Sequence, residues 1–279
     1  MNNDFTWSTK YYPNSEKPFV ISRSKIDLYL RCKRCAYLDM RLGIKGPKSF
    51  PYNLNSRIDI LLKNEFDKGR TEKKKTFYQK EANIDCIPYS HPELEIWREP
   101  FKAARFHHKE TNITVAGSVD DLWQDINTKK IHIVDYKSTY NENFERLKNF
   151  DAPYLVGYKR QAEIYLWILT SLELNMDPKS FFLYVNADPK QIEFSNKLDF
   201  EWAIIPYVSK DYTWVEKTII EIKNFLETNK IPSSNKDCDL CKYMSKFFNF
   251  IKKPNLLKIL IICESYLRVL FPLNLKAQF

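Results

Sequence analysis

Apolar residues recur with the period of an amphipathic helix, about 3.6 residues, in four stretches of the chain. A serine can cap the first stretch, and Gly43 is a stop signal at its end. The predicted helices run from Ser22 or Ser24 to about Leu42, from Asn53–Asn55 to about Lys68, from about Pro153 to Leu172, and over Val215–Leu226. Each helix carries an apolar stripe, so each is expected to pack against a core.

Runs of β-branched and aromatic residues predict strands between these helices. The runs are Ile113–Leu122, Ile131–Ser138, Phe181–Val185 and Phe200–Tyr207, the last being a strand or an extended segment. The turn-like segment Asn127–Lys130 separates the first two, which are therefore predicted to form a hairpin. The order strand, strand, helix, strand indicates an α/β fold with a mixed central sheet and helices on its faces.

The composition is that of a globular protein. With 279 residues, of which 44% are hydrophobic, the chain can bury a sizeable core, and its length suits one elaborated domain with peripheral helices. Only 5 glycines are present, which argues against a glycine-rich phosphate cradle. No internal repeat is visible, so a solenoid is excluded.

The chain is also basic, with a formal net charge of +9. This charge suits a polyanionic partner, because each lysine or arginine set against a phosphate releases counterions. Five lysines and arginines lie between Arg70 and Lys80, so Gly69–Lys80 is predicted to be a solvated or DNA-facing loop. A basic surface that only maintains solubility would give the same charge, so the motifs must decide.

The terminal segments carry no recognisable targeting or membrane signal. Met1–Lys10 is polar and lacks the apolar core of a signal peptide. Leu256–Phe271 is apolar but is interrupted by charged residues, and it falls short of the roughly 18 apolar residues that a membrane span needs. We therefore expect a cytoplasmic protein with no membrane partner.

An acid and a lysine stand together at the end of the apolar run Ile131–Ser138. Side chains alternate along a strand, so Asp135 and Lys137 are expected to share one face with Ile131 and Ile133. Such a pair can hold a divalent cation through the carboxylate and orient a water through the ammonium group. The pair is therefore a candidate centre for phosphodiester hydrolysis.

A second hard oxygen ligand is available in the preceding run. Asp120 and Asp121 point to opposite faces of a strand, so only one of them can join Asp135, and we favour Asp120. Cross-strand neighbours approach to about 5 Å, which is close enough to share a cation. An ordinary salt bridge at a strand end is the alternative interpretation.

Three spaced motifs together resemble a known family. Gly117-x-x-Asp120, then Asp135-Tyr136-Lys137, then Gln161-x-x-x-Tyr165 is similar to the signature of the RecB-type branch of the PD-(D/E)XK nuclease superfamily, which includes helicase-associated exonucleases and CRISPR-adaptation nucleases. The resemblance implies a restriction-endonuclease-like core and nucleic-acid cleavage with Mg²⁺ or Mn²⁺. It also implies metal ligation by Asp120, Asp135 and the Tyr136 carbonyl, with Lys137 as the catalytic lysine.

The same resemblance suggests roles for residues on two predicted helices. Gln161 and Tyr165 are four residues apart, so they project from one helix face, and they are expected to contact active-site groups or the substrate backbone. Lys159 and Arg160 could hold phosphates nearby. Asp59 occupies the place where the family often has a further histidine or acidic ligand, and Glu65 is the second candidate.

Four of the six cysteines form two Cys-x-x-Cys pairs, Cys32 with Cys35 and Cys238 with Cys241. Two such pairs can complete a tetrahedral thiolate set for Zn²⁺ or for a 4Fe-4S cluster. Their positions resemble the iron–sulfur staple of several RecB-type nucleases, although those contribute one early cysteine and three late ones, which leaves zinc open. Cys86 and Cys263 are expected to be buried apolar residues.

These observations predict a metal-dependent nuclease that hydrolyses DNA, in repair, recombination or defence against mobile elements. The predicted domains are an N-terminal extension over 1–21, a nuclease-like domain over 22–245 and an apolar helical tail over 246–279. No helicase motif is present, so any unwinding would come from a helicase or another protein partner. The alternatives are a catalytically inactive nucleic-acid-binding module and a metal-binding subunit of a larger complex.

Overall fold

A computed structural model describes residues 10–47, 52–148 and 155–251 of the chain. The strands in this part are β1 Phe19–Ser22, β2 Cys86–Pro88, β3 Ala104–His108, β4 Ile113–Gly117, β5 Asp121–Asp125, β6 Ile131–Thr139, β7 Lys179–Ala187 and β8 Phe200–Val208. The helices are α1 Arg23–Arg31, α2 Lys33–Met40, α3 Asn53–Thr71, α4 Phe77–Glu81, α5 Leu94–Arg98, α6 Glu145–Lys148, α7 Val156–Ser171, α8 Trp214–Glu227 and α9 Asp239–Ile251.

The centre of the fold is a five-stranded mixed sheet in the order β2-β5-β6-β7-β8. Strands β6 and β7 are parallel, and the other neighbouring pairs are antiparallel. The predicted hairpin is confirmed as β5 and β6. A smaller sheet in the order β1-β4-β3 lies beside it, and β1 belongs to the segment that was assigned to the N-terminal extension. The predicted α/β class with a mixed central sheet is therefore confirmed.

Both faces of the large sheet are covered. Ile133 of β6 packs in the main core with Ile164 and Ile168 of α7. On the opposite face, Val134 of β6 packs in a second core with Phe66 of α3. Neighbouring residues of β6 thus serve different cores, as the alternation of strand side chains requires.

The prediction of one strand over Ile113–Leu122 was wrong. Strand β4 ends at Gly117 in the small sheet, and β5 begins at Asp121 in the large one. Buried apolar residues lie in β4, in β5 and in the link between them, among them Val115, Val119 and Leu122, so the pattern does not mark where the chain changes sheet. Asp120 consequently lies in the short link between two sheets, directly before β5.

The first predicted helix is divided in two at Cys32. This residue is extended, with φ −155° and ψ 102°, and it ends α1 and caps α2. Its sulfur accepts a hydrogen bond from the Cys35 backbone N–H at 3.5 Å. The helical pattern therefore hid a break between two helices, and this break orients the Cys32 thiol.

The prediction of a loop over Gly69–Lys80 is confirmed only for residues 72–76, and both of its ends are helical. Helix α3 continues to Thr71, and α4 begins at Phe77 behind a capping box formed by Thr76 and Gln79. In that box the Gln79 side chain accepts from the Thr76 backbone N–H at 3.0 Å. The high density of charge concealed a Thr-x-x-Gln signal that stabilises a helix start.

Some predictions fall on residues outside the described ranges. These are Met1–Lys10 apart from its last residue, the start of the helix at Pro153, Leu256–Phe271 and Cys263. The predicted C-terminal tail overlaps α9, which is described up to Ile251. Across the described residues, no helix has the length and apolar character needed to cross a membrane.

Candidate functional site

Asp135 and Lys137 lie side by side on β6, as strand alternation predicted. The Lys137 ammonium group forms a salt bridge with Asp135 Oδ2. Asp135 is almost fully buried and Lys137 is largely buried. The Lys137 ammonium group also lies 4.8 Å from the centre of the Tyr158 ring, in a cation–π contact.

Asp120 is brought against the same strand by the link between the two sheets. Its Oδ2 accepts a hydrogen bond from the Tyr136 backbone N–H at 3.0 Å. Its Oδ1 lies 3.7 Å from the ammonium group of Lys63, a residue of α3. One oxygen of Asp120 is thus used for positioning, and the other faces the space between β6 and α3.

Asp121 points away from this space into a buried charge network. Its carboxylate is fully buried and accepts hydrogen bonds from the Tyr136 hydroxyl at 2.6 Å and from Arg98 at 3.3 Å, and it also pairs with Arg70. The Arg98 guanidinium additionally donates to the Asp120 carbonyl at 3.0 Å. The two adjacent acids therefore do different things, since one faces the cleft and the other fixes the backbone behind it.

Gln161 of α7 connects the helix to the acid of β6. Its Nε2 donates to Asp135 Oδ1 at 2.6 Å and lies 3.2 Å from the Tyr165 hydroxyl. Its Oε1 is buried and has no hydrogen-bond partner in the described part of the chain. The predicted shared face of Gln161 and Tyr165 is present, and it contacts an active-site candidate.

Gly117 is required by the close approach of this helix. A Cβ atom at Gly117 would lie 2.6 Å from two carbons of the Tyr165 ring and 3.1 Å from Ile168 Cδ1. Such contacts are too short for any side chain, so only glycine lets α7 come this near to β4. The glycine of the Gly-x-x-Asp motif thus acts through packing, which brings Tyr165 and Gln161 to the sheet.

Asp59 lines the same cleft but is held by a lysine that the sequence analysis did not single out. Lys63 donates to Asp59 Oδ2 at 2.7 Å and stands between this acid and Asp120. The spacing of four residues on one helix was the signal that could have revealed the pair. Glu65, the second candidate, lines a different depression beside α4 and is not brought to Asp120.

Burial and mutual repulsion shift the ionisation of these groups. Burial raises the pKa of Asp135 to about 6, against the lowering effect of the adjacent Lys137. Burial likewise raises the pKa of Asp120. Burial by itself would lower the pKa of Lys137, but the carboxylates of Asp135 and Asp120 raise it further, and the net shift is upward. Lys137 therefore keeps its proton at neutral pH.

These side chains surround a cleft of about 440 Å³. Asp59, Asp120, Tyr136, Lys137 and Gln161 are among the residues that line it, together with Arg23 at the start of α1. Arg23 forms no ion pair with any residue in the described ranges, so its guanidinium group is available to an anion. Lys159 and Arg160 lie instead beside a separate depression with Tyr207, and Arg160 pairs with Asp27 at 3.0 Å.

The chemistry of the cleft fits a hard divalent cation. Its acidic ligands are carboxylate oxygens, and the buried Gln161 Oε1 adds an acceptor that has no donor among the described residues. Mg²⁺ and Mn²⁺ prefer such oxygen ligands. The carboxylates of Asp120 and Asp135 already lie beside the ammonium groups of Lys63 and Lys137. The two acids therefore stand where negative charge attracts a cation.

The four paired cysteines meet in space, although about 200 residues separate the two pairs. The sulfur of Cys241 lies 3.6 Å from that of Cys32 and 3.8 Å from that of Cys35, and Cys35 lies 3.6 Å from Cys238. All four sulfur atoms lie within 4.8 Å of one another. The predicted proximity of the N- and C-terminal pairs is confirmed.

Comparison with known proteins agrees with this geometry. No curated protein matched the chain. Residues 54–245 match the family described as the PD-(D/E)XK nuclease superfamily, and this region includes α3, the β5–β6 hairpin, α7 and the later cysteine pair. The match covers more than half of the 279 residues. The chain therefore belongs to the PD-(D/E)XK nuclease superfamily, whose domain supports a nuclease-type function.

Proposed function

We propose that this protein is a Mg²⁺- or Mn²⁺-dependent deoxyribonuclease. The observation that carries the proposal is the convergence of Asp120, Asp135 and Lys137 at one open cleft, with each acid hydrogen-bonded to a group that orients it. An inactive binding module would have no need for a buried Asp135 beside a half-buried Asp120, because carboxylate charge is costly away from water. The favoured setting is DNA repair, recombination or defence against mobile elements.

In this proposal Asp120, Asp135 and the Tyr136 carbonyl hold the cation, and Asp59 is a further candidate. A bound cation would supply the positive charge that polarises a phosphate and lowers the pKa of a water molecule. The Tyr136 N–H and Gln161 keep the two carboxylates in fixed orientations, which reduces the reorganisation needed during reaction. Lys63 would have to leave the space between Asp59 and Asp120 or remain as a second positive charge there.

Lys137 acts as a hydrogen-bond donor in this scheme. Because its pKa is raised, it is an ammonium ion at neutral pH and is a poor base. It can therefore orient the attacking water and neutralise negative charge that develops on the phosphate in the transition state. Its contact with Asp135 keeps it beside the point where the phosphate would lie.

Arg23 gives the cleft a group for the substrate backbone. Its guanidinium group has the fork geometry that suits a phosphate, and it lines the cleft together with α3 residues such as Asn55. Asn55 donates to the Ser138 carbonyl at 2.7 Å and so ties α3 to β6 beside the cleft. The basic charge of the whole chain would add nonspecific attraction for DNA.

The proposal is tested by incubating the purified chain with linear and circular DNA in the presence of Mg²⁺ or Mn²⁺. We expect cleavage that stops when a chelator removes the cation and that resumes when Mg²⁺ is restored. A matched RNA substrate is expected to be cut more slowly, and circular DNA separates endonuclease from exonuclease action. Tight DNA binding without cleavage under any of these conditions would instead support the inactive binding module.

We further propose that the four clustered cysteines hold one structural Zn²⁺ ion. A tetrahedral ion with Zn–S bonds of about 2.3 Å places its sulfur ligands about 3.8 Å apart. The distances of 3.6 to 3.8 Å from Cys241 to Cys32 and Cys35, and from Cys35 to Cys238, are close to this value. A 4Fe-4S cluster binds each thiolate through a different iron, which spreads the sulfur atoms further.

The cysteine site predicts one equivalent of zinc in the purified protein and no visible absorption. Cys241→Ser is expected to lose this zinc and to unfold at a lower temperature, because the ion joins the helices at the two ends of the fold. Metal analysis and thermal unfolding measure both effects. A brown protein with broad visible absorption after anaerobic purification would show that the site holds an iron–sulfur cluster instead.

A further inference from the structure

Three more side chains with metal-ligand chemistry meet on the sheet face opposite Asp135. They are Cys86 of β2, Asp125 at the end of β5 and His132 of β6, and each offers one ligand atom within 4.8 Å of the other two. Cys86 is paired with Asp125 across two strands, and His132 is paired with Trp123. Three adjacent strands thus bring a sulfur, an oxygen and a nitrogen donor to one point.

His132 is held in the tautomer that a metal ligand needs. Its Nδ1 lies 2.9 Å from the Lys179 backbone carbonyl, which can only accept, so the ring proton is on Nδ1. Its Nε2 then carries the lone pair and has no hydrogen-bond partner in the described ranges. A backbone carbonyl on the far nitrogen is the arrangement that commonly orients a metal-bound histidine.

Asp125 is fixed by the hairpin turn and remains accessible. Its Oδ1 accepts backbone hydrogen bonds from Asn127 at 2.8 Å and Thr128 at 2.7 Å. The Thr128 side chain also hydrogen-bonds to the carboxylate, whereas the described residues donate no backbone hydrogen bond to Oδ2. The side chain is half-buried, and it gives an ion a route from solvent to the buried Cys86 and His132.

We propose that Cys86, Asp125 and His132 form a second metal site that takes a borderline-soft divalent cation of the Zn²⁺ type. A thiolate and an imidazole disfavour Mg²⁺, which prefers oxygen, and three protein ligands leave the fourth tetrahedral position to water. Cys86 has no second cysteine at this site with which to form a disulfide, among the residues described. The ion would tie the three-residue edge strand β2 to β5 and β6.

The site is separate from the catalytic cleft. His132 lies on the opposite face of β6 from Asp135 and is three residues away, which is about 10 Å along a strand. The donor sets also differ, because the cleft offers oxygen atoms and this site offers sulfur and nitrogen as well. Loss of the second site should therefore leave cleavage chemistry intact while it changes metal content.

The test uses the full chain with its four-cysteine site already filled with zinc. Zn²⁺ is then titrated into wild type, Asp125→Asn, Cys86→Ser and the control Asp85→Asn. The amide oxygen of Asp125→Asn can still accept the turn hydrogen bonds, so this variant keeps the fold. The control removes a neighbouring charge that pairs with Lys75 and is not a ligand.

We expect wild type and Asp85→Asn to bind one additional equivalent of zinc. Affinity should fall by more than about 100-fold in Asp125→Asn and Cys86→Ser, because loss of a group that merely supports a ligand already costs 10–100-fold. With Co²⁺ as the probe, wild type should gain a near-ultraviolet thiolate-to-cobalt absorption that Cys86→Ser lacks. Equal stoichiometry and affinity in all four proteins would overturn the proposal.

Folding of the variants is checked without added metal. Circular dichroism and thermal unfolding should show that Asp125→Asn and Asp85→Asn are both native. A difference in their zinc affinities then reports loss of the ligand and not loss of the fold. If Cys86→Ser does not fold, the Asp125→Asn titration still decides the matter. Binding by Asp125→Asn that equals wild type would then count against the site.

Discussion

Lys137→Ala is expected to lower the rate of DNA cleavage by about 10²–10⁴-fold, which is the range found when a positioned proton-transfer or donor group is removed. The ammonium group is largely buried, pairs with Asp135 and keeps its proton at neutral pH. Alanine removes the donor and leaves the cleft open. The rate is measured under single-turnover conditions at saturating Mg²⁺, so that binding and product release do not mask the chemical step.

Two matched variants separate this chemistry from general effects of charge. Lys190→Ala removes an exposed lysine from a loop outside the cleft and should leave the rate within about twofold of wild type, since isolated surface charges contribute little. Asp135→Asn keeps the shape and the hydrogen bond from Gln161 but removes the charge, and it should be as inactive as Lys137→Ala. Cleavage that persists in both cleft variants would refute the assignment of the active site.

Asp121→Ala is expected to lower the free energy of unfolding by about 3–5 kcal/mol, the usual cost of removing one partner from a buried ion pair. The substitution leaves Arg98 and Arg70, which are both nearly buried, without the carboxylate that they share. It also leaves the Tyr136 hydroxyl without its acceptor. Urea unfolding monitored by tryptophan fluorescence measures the change, and thermal unfolding should shift by about 2–4 °C for each kcal/mol.

Asp85→Ala is the matched control for this stability measurement. Asp85 forms an ion pair with Lys75, but its side chain is 65% exposed, so the loss should stay within about 1 kcal/mol. Both variants lose one carboxylate, so the difference between their free energies of unfolding reports the effect of burial. A loss for Asp121→Ala as small as that of the control would contradict the buried-network interpretation.

The Asp121 network also supports the candidate active site. Arg98 holds the Asp120 carbonyl, and Asp121 holds the Tyr136 hydroxyl, so the network fixes the Asp120 backbone and the Tyr136 side chain, in two residues that we propose as cation ligands. Strand alternation predicted that Asp121 points to the face opposite Asp120. In that orientation the buried Asp121 carboxylate accepts hydrogen bonds from four donors and anchors the link between the two sheets.

Local pattern was sufficient where the period of side chains fixes their direction. The alternation on β6 correctly placed Asp135 and Lys137 together, and the spacing of four correctly placed Gln161 and Tyr165 on one face of α7. The hairpin of β5 and β6 followed from a turn between two apolar runs. The functional roles of these residues stay predictions until the variants are measured.

Local pattern failed where burial or charge masked a boundary. Buried apolar residues throughout Ile113–Leu122 hid a change of sheet, and the lysines of Gly69–Lys80 hid the start of α4. In both cases the deciding feature was a contact with a distant element or a capping side chain. Hydrophobicity alone carries neither kind of information.

The sequence by itself determined the α/β class, the order of the main elements and the acid–lysine pair. These features depend on the periodicity of residues within a single helix or strand. Only the tertiary structure decided that Lys63 of α3 reaches Asp120, that Asp121 closes a buried network, and that Cys86 meets His132. Those contacts join elements far apart in the chain. Their geometry depends on how sheets and helices pack, which no local spacing specifies.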